Sequence, residues 1–98
     1  MMLNRFLALV ACCFAIAPAQ ADYLPTAERV TDNVYAIVGP LGQRSMENDG
    51  LNANYGFVVT PAGVALIDSG ASRLGAQKLA AAIRAVTDLP VRWVINTG

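Results

Sequence analysis

Histidine is absent from this 98-residue chain, and that gap removes both the commonest metal ligand and the commonest general base. Cysteine is nearly absent as well: the two that occur, Cys12 and Cys13, sit side by side near the start. Both fall in a segment that reads as an export signal, so the processed chain carries neither disulfides nor thiolate metal ligands. Charge of either sign is sparse and balanced, seven basic residues against seven acidic, for a formal charge of zero. Lys and Arg occur as isolated singles rather than clusters, and neutralising phosphates needs a concentrated basic surface, so the composition argues against nucleic acid as a partner. No apolar run approaches the ~20 residues that span a bilayer.

The chain opens with a leader-like pattern. Met1 to Arg5 carries one positive charge, Phe6 to Ala17 is an almost unbroken apolar run, and Pro18-Ala19-Gln20-Ala21 closes in the small-x-small pattern that signal peptidase needs. Cleavage after Ala21 leaves Asp22 first. The expected organisation is therefore a signal peptide over 1–21 and one small domain over 22–98, periplasmic or secreted, with no membrane contact after cleavage. Leu9-Val10-Ala11-Cys12 also resembles a lipoprotein box that would anchor the chain through Cys12, although almost no apolar core precedes it. A domain this small buries a core worth only roughly 3–5 kcal/mol unless a disulfide or metal staples it. With no evident staple, the sequence reads as part of something larger.

Within the domain, Asn33 to Val38 is the first strand expected, stopped by Gly39-Pro40. Leu41 to Asn54 is polar and turn-rich, with Gly42, Asn48-Asp49-Gly50 and Asn52. Connections of this length in compact domains are usually functional or mobile. Tyr55 to Thr60 is a second strand, and Thr60-Pro61-Ala62-Gly63 has type I turn chemistry that pairs it with Val64 to Asp68 as a hairpin. From Ser72 the period changes: Ala76, Leu79, Ala80, Ile83 and Val86 recur at helical spacing, with Arg73, Gln77 and Arg84 on the other side. Ser72 is the expected N-cap, and Asp88-Leu89-Pro90 the expected stop. Val91 to Ile95 completes a βαβ unit whose strands run parallel through a right-handed crossover. Asp68-Ser69-Gly70 and Asn96-Thr97-Gly98 should then meet on one sheet edge, the edge where open α/β sheets bind ligands.

Asp68 admits three readings. Asp68-Ser69-Gly70-Ala71 resembles the signature of retroviral-type aspartic proteases, in which two carboxylates from a dimer share a proton and activate water. In those proteases the loop leads into further strands, whereas here it leads into a helix. A phosphate-cradling loop between Gly70 and Gly75 lacks the Lys and Ser/Thr that such loops require, so Gly70 is assigned to a tight turn and Gly75 to packing of helix on sheet. The third reading uses the whole arrangement. Tyr55-Gly56-Phe57-Val58-Val59-Thr60, then Gly63-Val64-Ala65-Leu66-Ile67-Asp68-Ser69-Gly70, a helix, and Val94-Ile95-Asn96-Thr97-Gly98 resemble the amino-terminal part of the metallo-β-lactamase-fold hydrolases over about Val34 to Gly98.

That resemblance implies an α/β (α+β) fold, the first part of an αββα sandwich, with hairpin strands followed by the βαβ unit. In that family the strand matching Val91 to Ile95 runs into the His-x-His-x-Asp-His ligand motif, and this sequence stops at Gly98, where the motif would begin. The resemblance implies an amino-terminal fragment of an exported hydrolase in which zinc-activated water attacks a small-molecule ester, thioester or amide. The zinc ligands are absent from this chain, which alone is expected to be inactive. Asp68 matches the aspartate that supports the family's ligand loop without holding metal, and Asn96 and Thr97 match the residues that lead into that loop. A turn-forming or helix-capping aspartate is the plainer role for Asp68. The class-distinct alternative for the chain is a non-catalytic exported module that binds a partner through the Leu41–Asn54 loop and exposed apolar surface.

Overall fold

The computed structural model describes residues 23–98; the expected signal peptide and the box at Cys12 lie outside the described residues. Those described form a mixed α/β domain of five strands and one helix. In chain order these are β1 (Glu28–Thr31), β2 (Val34–Ile37), β3 (Tyr55–Thr60), β4 (Gly63–Ile67), α1 (Arg73–Arg84) and β5 (Val91–Ile95). The strands form a single sheet in the order β1-β2-β3-β4-β5, so every strand lies beside its predecessor. The first three pairings are antiparallel, and β4 pairs with β5 in parallel after the α1 crossover. No helix among the described residues is long and apolar enough to cross a membrane.

Two tight turns fix the registers of the β1–β2 and β3–β4 pairs. Asn33 takes a left-handed φ of 63° between β1 and β2, a conformation that Asn tolerates better than most residues. A bulge between Arg29 and Thr31 accompanies it. At the second turn Thr60 pairs with Gly63, its hydroxyl donates to the Gly63 carbonyl at 2.7 Å, and the Ala62 amide donates back to the Thr60 oxygen at 3.2 Å.

Strand alternation assigns the two faces of the sheet. Ile37, Tyr55, Phe57, Val64 and Leu66 face α1 and pack with its Leu79, Ala82 and Ile83 into one buried cluster. Tyr35 stacks on Phe57 across the β2–β3 pair, with ring centroids 5.0 Å apart and an interplanar angle of 11°. The opposite face carries two cross-strand rows, Val34-Val58-Ala65-Trp93 and Ala36-Gly56-Ile67-Ile95. No described element covers it, and Trp93 and Ile95 stay 47% and 52% exposed.

The helix differs from its sequence expectation in two respects. It ends at Arg84, before Asp88, because Val86 and Thr87 both donate to the Ile83 carbonyl and the Thr87 hydroxyl oxygen accepts from the Leu89 amide, which turns the chain early. Its buried stripe also runs through Gly75, Leu79, Ala82 and Ile83, leaving Ala76 exposed. Ser72 caps the helix as its position implied, its hydroxyl oxygen accepting from the Gly75 amide at 2.9 Å. Gly75 packs against the loop after β2 and not, as expected, against the sheet. A side chain there would bring its Cβ within 2.6 Å of the Asp49 carbonyl oxygen and 3.1 Å of Leu51.

Candidate functional site

Three chain segments converge on one edge of the sheet, and topology alone requires it. β4 and β5 run parallel, so both end there; β2 ends and β3 begins there because they run antiparallel to each other and β3 runs antiparallel to β4. The loop 38–54, the Asp68-Ser69-Gly70 turn and Asn96-Thr97-Gly98 therefore share that edge.

Asp68 is the pivot. Its amide extends the parallel ladder by donating to the Ile95 carbonyl at 2.8 Å. Its backbone then turns into the left-handed region at φ 60°, uncommon for a residue with a side chain and found where surrounding bonds over-determine the conformation. Those bonds come from one residue. The Thr97 amide donates to Oδ1 at 2.8 Å and the Thr97 hydroxyl donates to Oδ2 at 2.7 Å, so both carboxylate oxygens are held. The hydroxyl bond first and the amide bond second pull the Asp68 carboxyl below its ordinary pKa, since both favour the ionised form. Gly70 follows at φ 78°, where a residue without Cβ costs least. Asp68 does not cap α1, a role that belongs to Ser72.

The sequence-derived trio thus splits: Asp68 and Thr97 are bonded directly, while Asn96 lines the cleft beside them. That cleft is polar, of about 300 Å³, and its wall includes Arg44, Asn52, Tyr55, Asp68, Asn96 and Thr97. Arg44 and Asn52 entered the sequence reading only as part of the Leu41–Asn54 loop and Tyr55 only as the start of a strand, so none of the three was singled out as a site residue. The topology held a signal, because a residue at the start of β3 or in the loop before it has to share the edge where β4 ends. Burial raises the Tyr55 phenol above its ordinary pKa, so it stays a protonated donor through the physiological range.

The long loop is built rather than slack. Asn48 is buried and works as a hub: its Oδ1 accepts from the Ser45 and Gly50 amides at 3.0 and 3.1 Å, and its Nδ2 donates to the Gln43 carbonyl at 2.9 Å. Leu51 is fully buried and joins the core cluster. The Ser72 hydroxyl donates to the Asp49 carbonyl, and Lys78 pairs with the Asp49 carboxylate while donating to the Tyr23 carbonyl at 2.7 Å. The Lys78 and Asp49 side chains are only 14% and 12% exposed, so the pair is largely desolvated and breaking it would strand a charge. The loop is thereby fastened to the first turns of α1.

Among the described residues no three His, Cys, Asp or Glu side chains group to hold a metal ion. Compared with known proteins, the chain matches no protein-family model and no curated protein.

Proposed function

We propose that the chain is the amino-terminal part of an exported, periplasmic or secreted, metal-dependent hydrolase of the metallo-β-lactamase fold, acting on a small-molecule ester, thioester or amide. The observation that carries this reading is the double bond from Thr97 to Asp68. A carboxylate that grips the backbone and side chain of the second residue after β5 sets the direction in which the chain leaves the sheet. That is what an aspartate supporting a ligand loop has to do. Asn96 and Thr97 then shape the mouth of the cleft. The uncovered apolar face opposite α1 supports the same reading, since a sandwich packs a second sheet on such a face.

The residues present do not fit a zinc ion. The chain has no histidine, and its described carboxylates do not cluster. On this reading the ligands belong to sequence outside these 98 residues, the zinc to the larger protein, and the present chain alone is inactive. What its own residues supply is orientation of the edge by Asp68 and Thr97 and a polar wall from Tyr55 and Asn52.

One observation favours a second reading. The exposed rows through Trp93 and Ile95 would also serve a non-catalytic exported module that binds a protein partner through that face. Intact mass and zinc content of the protein purified from its native host separate the two. A mass well above that of residues 22–98, with zinc present, is the result expected of the hydrolase. A mass matching residues 22–98, without zinc, would overturn it and leave the binding module.

A further inference from the structure

A second cleft, of about 470 Å³, lies between the loop after β2 and the first turn of α1, adjoining the polar cleft through Arg44, Gly50 and Ala71. Its volume falls within the range of small-molecule sites. The wall is predominantly apolar, and Met46 and Leu74, on opposite sides of it, are 91% and 50% exposed. Neither side chain joins the core cluster, so packing of the domain does not account for them. Exposed apolar side chains gathered around one concavity are the mark of a ligand surface.

The charges around this cleft point to the kind of ligand. Asp49 lines it, but its carboxylate is taken by Lys78. The Ser72 hydroxyl is likewise committed, donating to the Asp49 carbonyl and accepting from the Gly75 amide. Arg44 has no carboxylate within ion-pair distance among the described residues. A guanidinium with no ion-pair partner therefore stands where the apolar and polar clefts join, the Asp68 carboxylate of the polar cleft being held by Thr97, and guanidinium matches a carboxylate through paired N–H donors. The loop that forms one wall is already tied down by Asn48, Leu51 and the Lys78–Asp49 pair, so little ordering cost remains for a ligand to meet.

We propose that this cleft binds a monoanionic amphiphile, its apolar chain lying between Met46 and Leu74 and its anionic head on Arg44. In assigning that amphiphile as the carboxylate released when water cleaves the acyl bond of a substrate, the proposal rests on the hydrolase reading; the binding itself does not. The test is a titration of the ¹⁵N-labelled full chain with decanoate, followed by amide chemical shifts, with decanol as the uncharged counterpart. Decanoate is expected to shift residues 44–50 and 71–74. The double substitution Met46→Gln with Leu74→Gln should weaken it at least tenfold, and both positions are exposed enough to leave the remaining resonances in place. Arg44→Gln should weaken decanoate severalfold and leave decanol unchanged. Shifts confined to β5 and the exposed sheet face, or an affinity indifferent to all three substitutions, would overturn the proposal. Zinc content and intact mass report on the hydrolase reading separately, so loss of either conclusion leaves the other readable.

Discussion

Gly75→Ala sets two known effects against each other, and the structure decides the sign. In an exposed helix interior the change stabilises by about 1 kcal/mol, because alanine loses less backbone entropy on folding. Here the new methyl would sit 2.6 Å from the Asp49 carbonyl oxygen and 3.1 Å from Leu51. The first neighbour is backbone, so it cannot swing aside as a side-chain tip could. Moving it would pull on the Ser72 hydroxyl that donates to it and on the Lys78 pair one carboxylate away. Overpacking of this kind costs about 1–3 kcal/mol, and loosening the N-cap adds roughly 1 kcal/mol. The expected net effect is a loss of about 1–3 kcal/mol, read as a lower urea midpoint by far-UV circular dichroism at unchanged slope. Ala81→Gly, at an exposed position of the same helix, calibrates the propensity term alone at a loss of about 1 kcal/mol. A Gly75→Ala chain more stable than the parent would refute the reasoning, because it would mean that the loop does not rest on the helix.

Leu51→Ala removes a fully buried side chain from the loop. A loss of about 2–5 kcal/mol rivals the whole stability expected of so small a domain, so the cooperative urea transition should shift far down or vanish; a change under about 1 kcal/mol would show the loop to be loosely packed. For Asp68 the carboxyl pKa is lower folded than unfolded, so its contribution is complete above the ordinary carboxylate range near pH 4 and fades as pH falls through the folded value. The Thr97 amide resonance should accordingly hold steady through that range and move only below it. In Asp68→Asn that acid step should disappear and amide exchange at Thr97 should quicken; a step at or above pH 4 in the parent contradicts the bonding described.

Four strands, β2 to β5, were legible in the sequence because short apolar runs met strong turn chemistry at Gly39-Pro40, Pro61 and Pro90, and the meeting of the Asp68 and Thr97 segments followed from the parallel crossover between them. β1 was not legible. Glu28-Arg29-Val30-Thr31 is exposed at every position, so it has no buried face to impose alternation, and only its pairing with β2 makes it a strand. The helix stripe was legible at Leu79, Ile83 and Val86 and less so where small residues crowd the segment: Gly75 and Ala82 are buried, whereas Ala76 is exposed and Ala80 only half-buried. Arg44 and Tyr55 escaped as site residues for another reason. A loop arginine and a strand tyrosine have no local pattern, and their convergence with Asp68 exists only once the sheet is assembled.

The agreement between strand order and chain order has a kinetic consequence. β1 meets β2 and β3 meets β4 over two-residue turns, and closing such short loops takes microseconds or less. Only the β4–β5 pairing spans a whole helix, so it carries the largest entropy of closure in the second half of the chain. In a chain released amino end first, the sheet grows by adding each new strand to the one just made, without rearranging what came before. Among the contacts described, that between Asp68 and Thr97 is then the last to form, and it completes the edge shared by the loop 38–54, the Asp68-Ser69-Gly70 turn and Asn96-Thr97-Gly98.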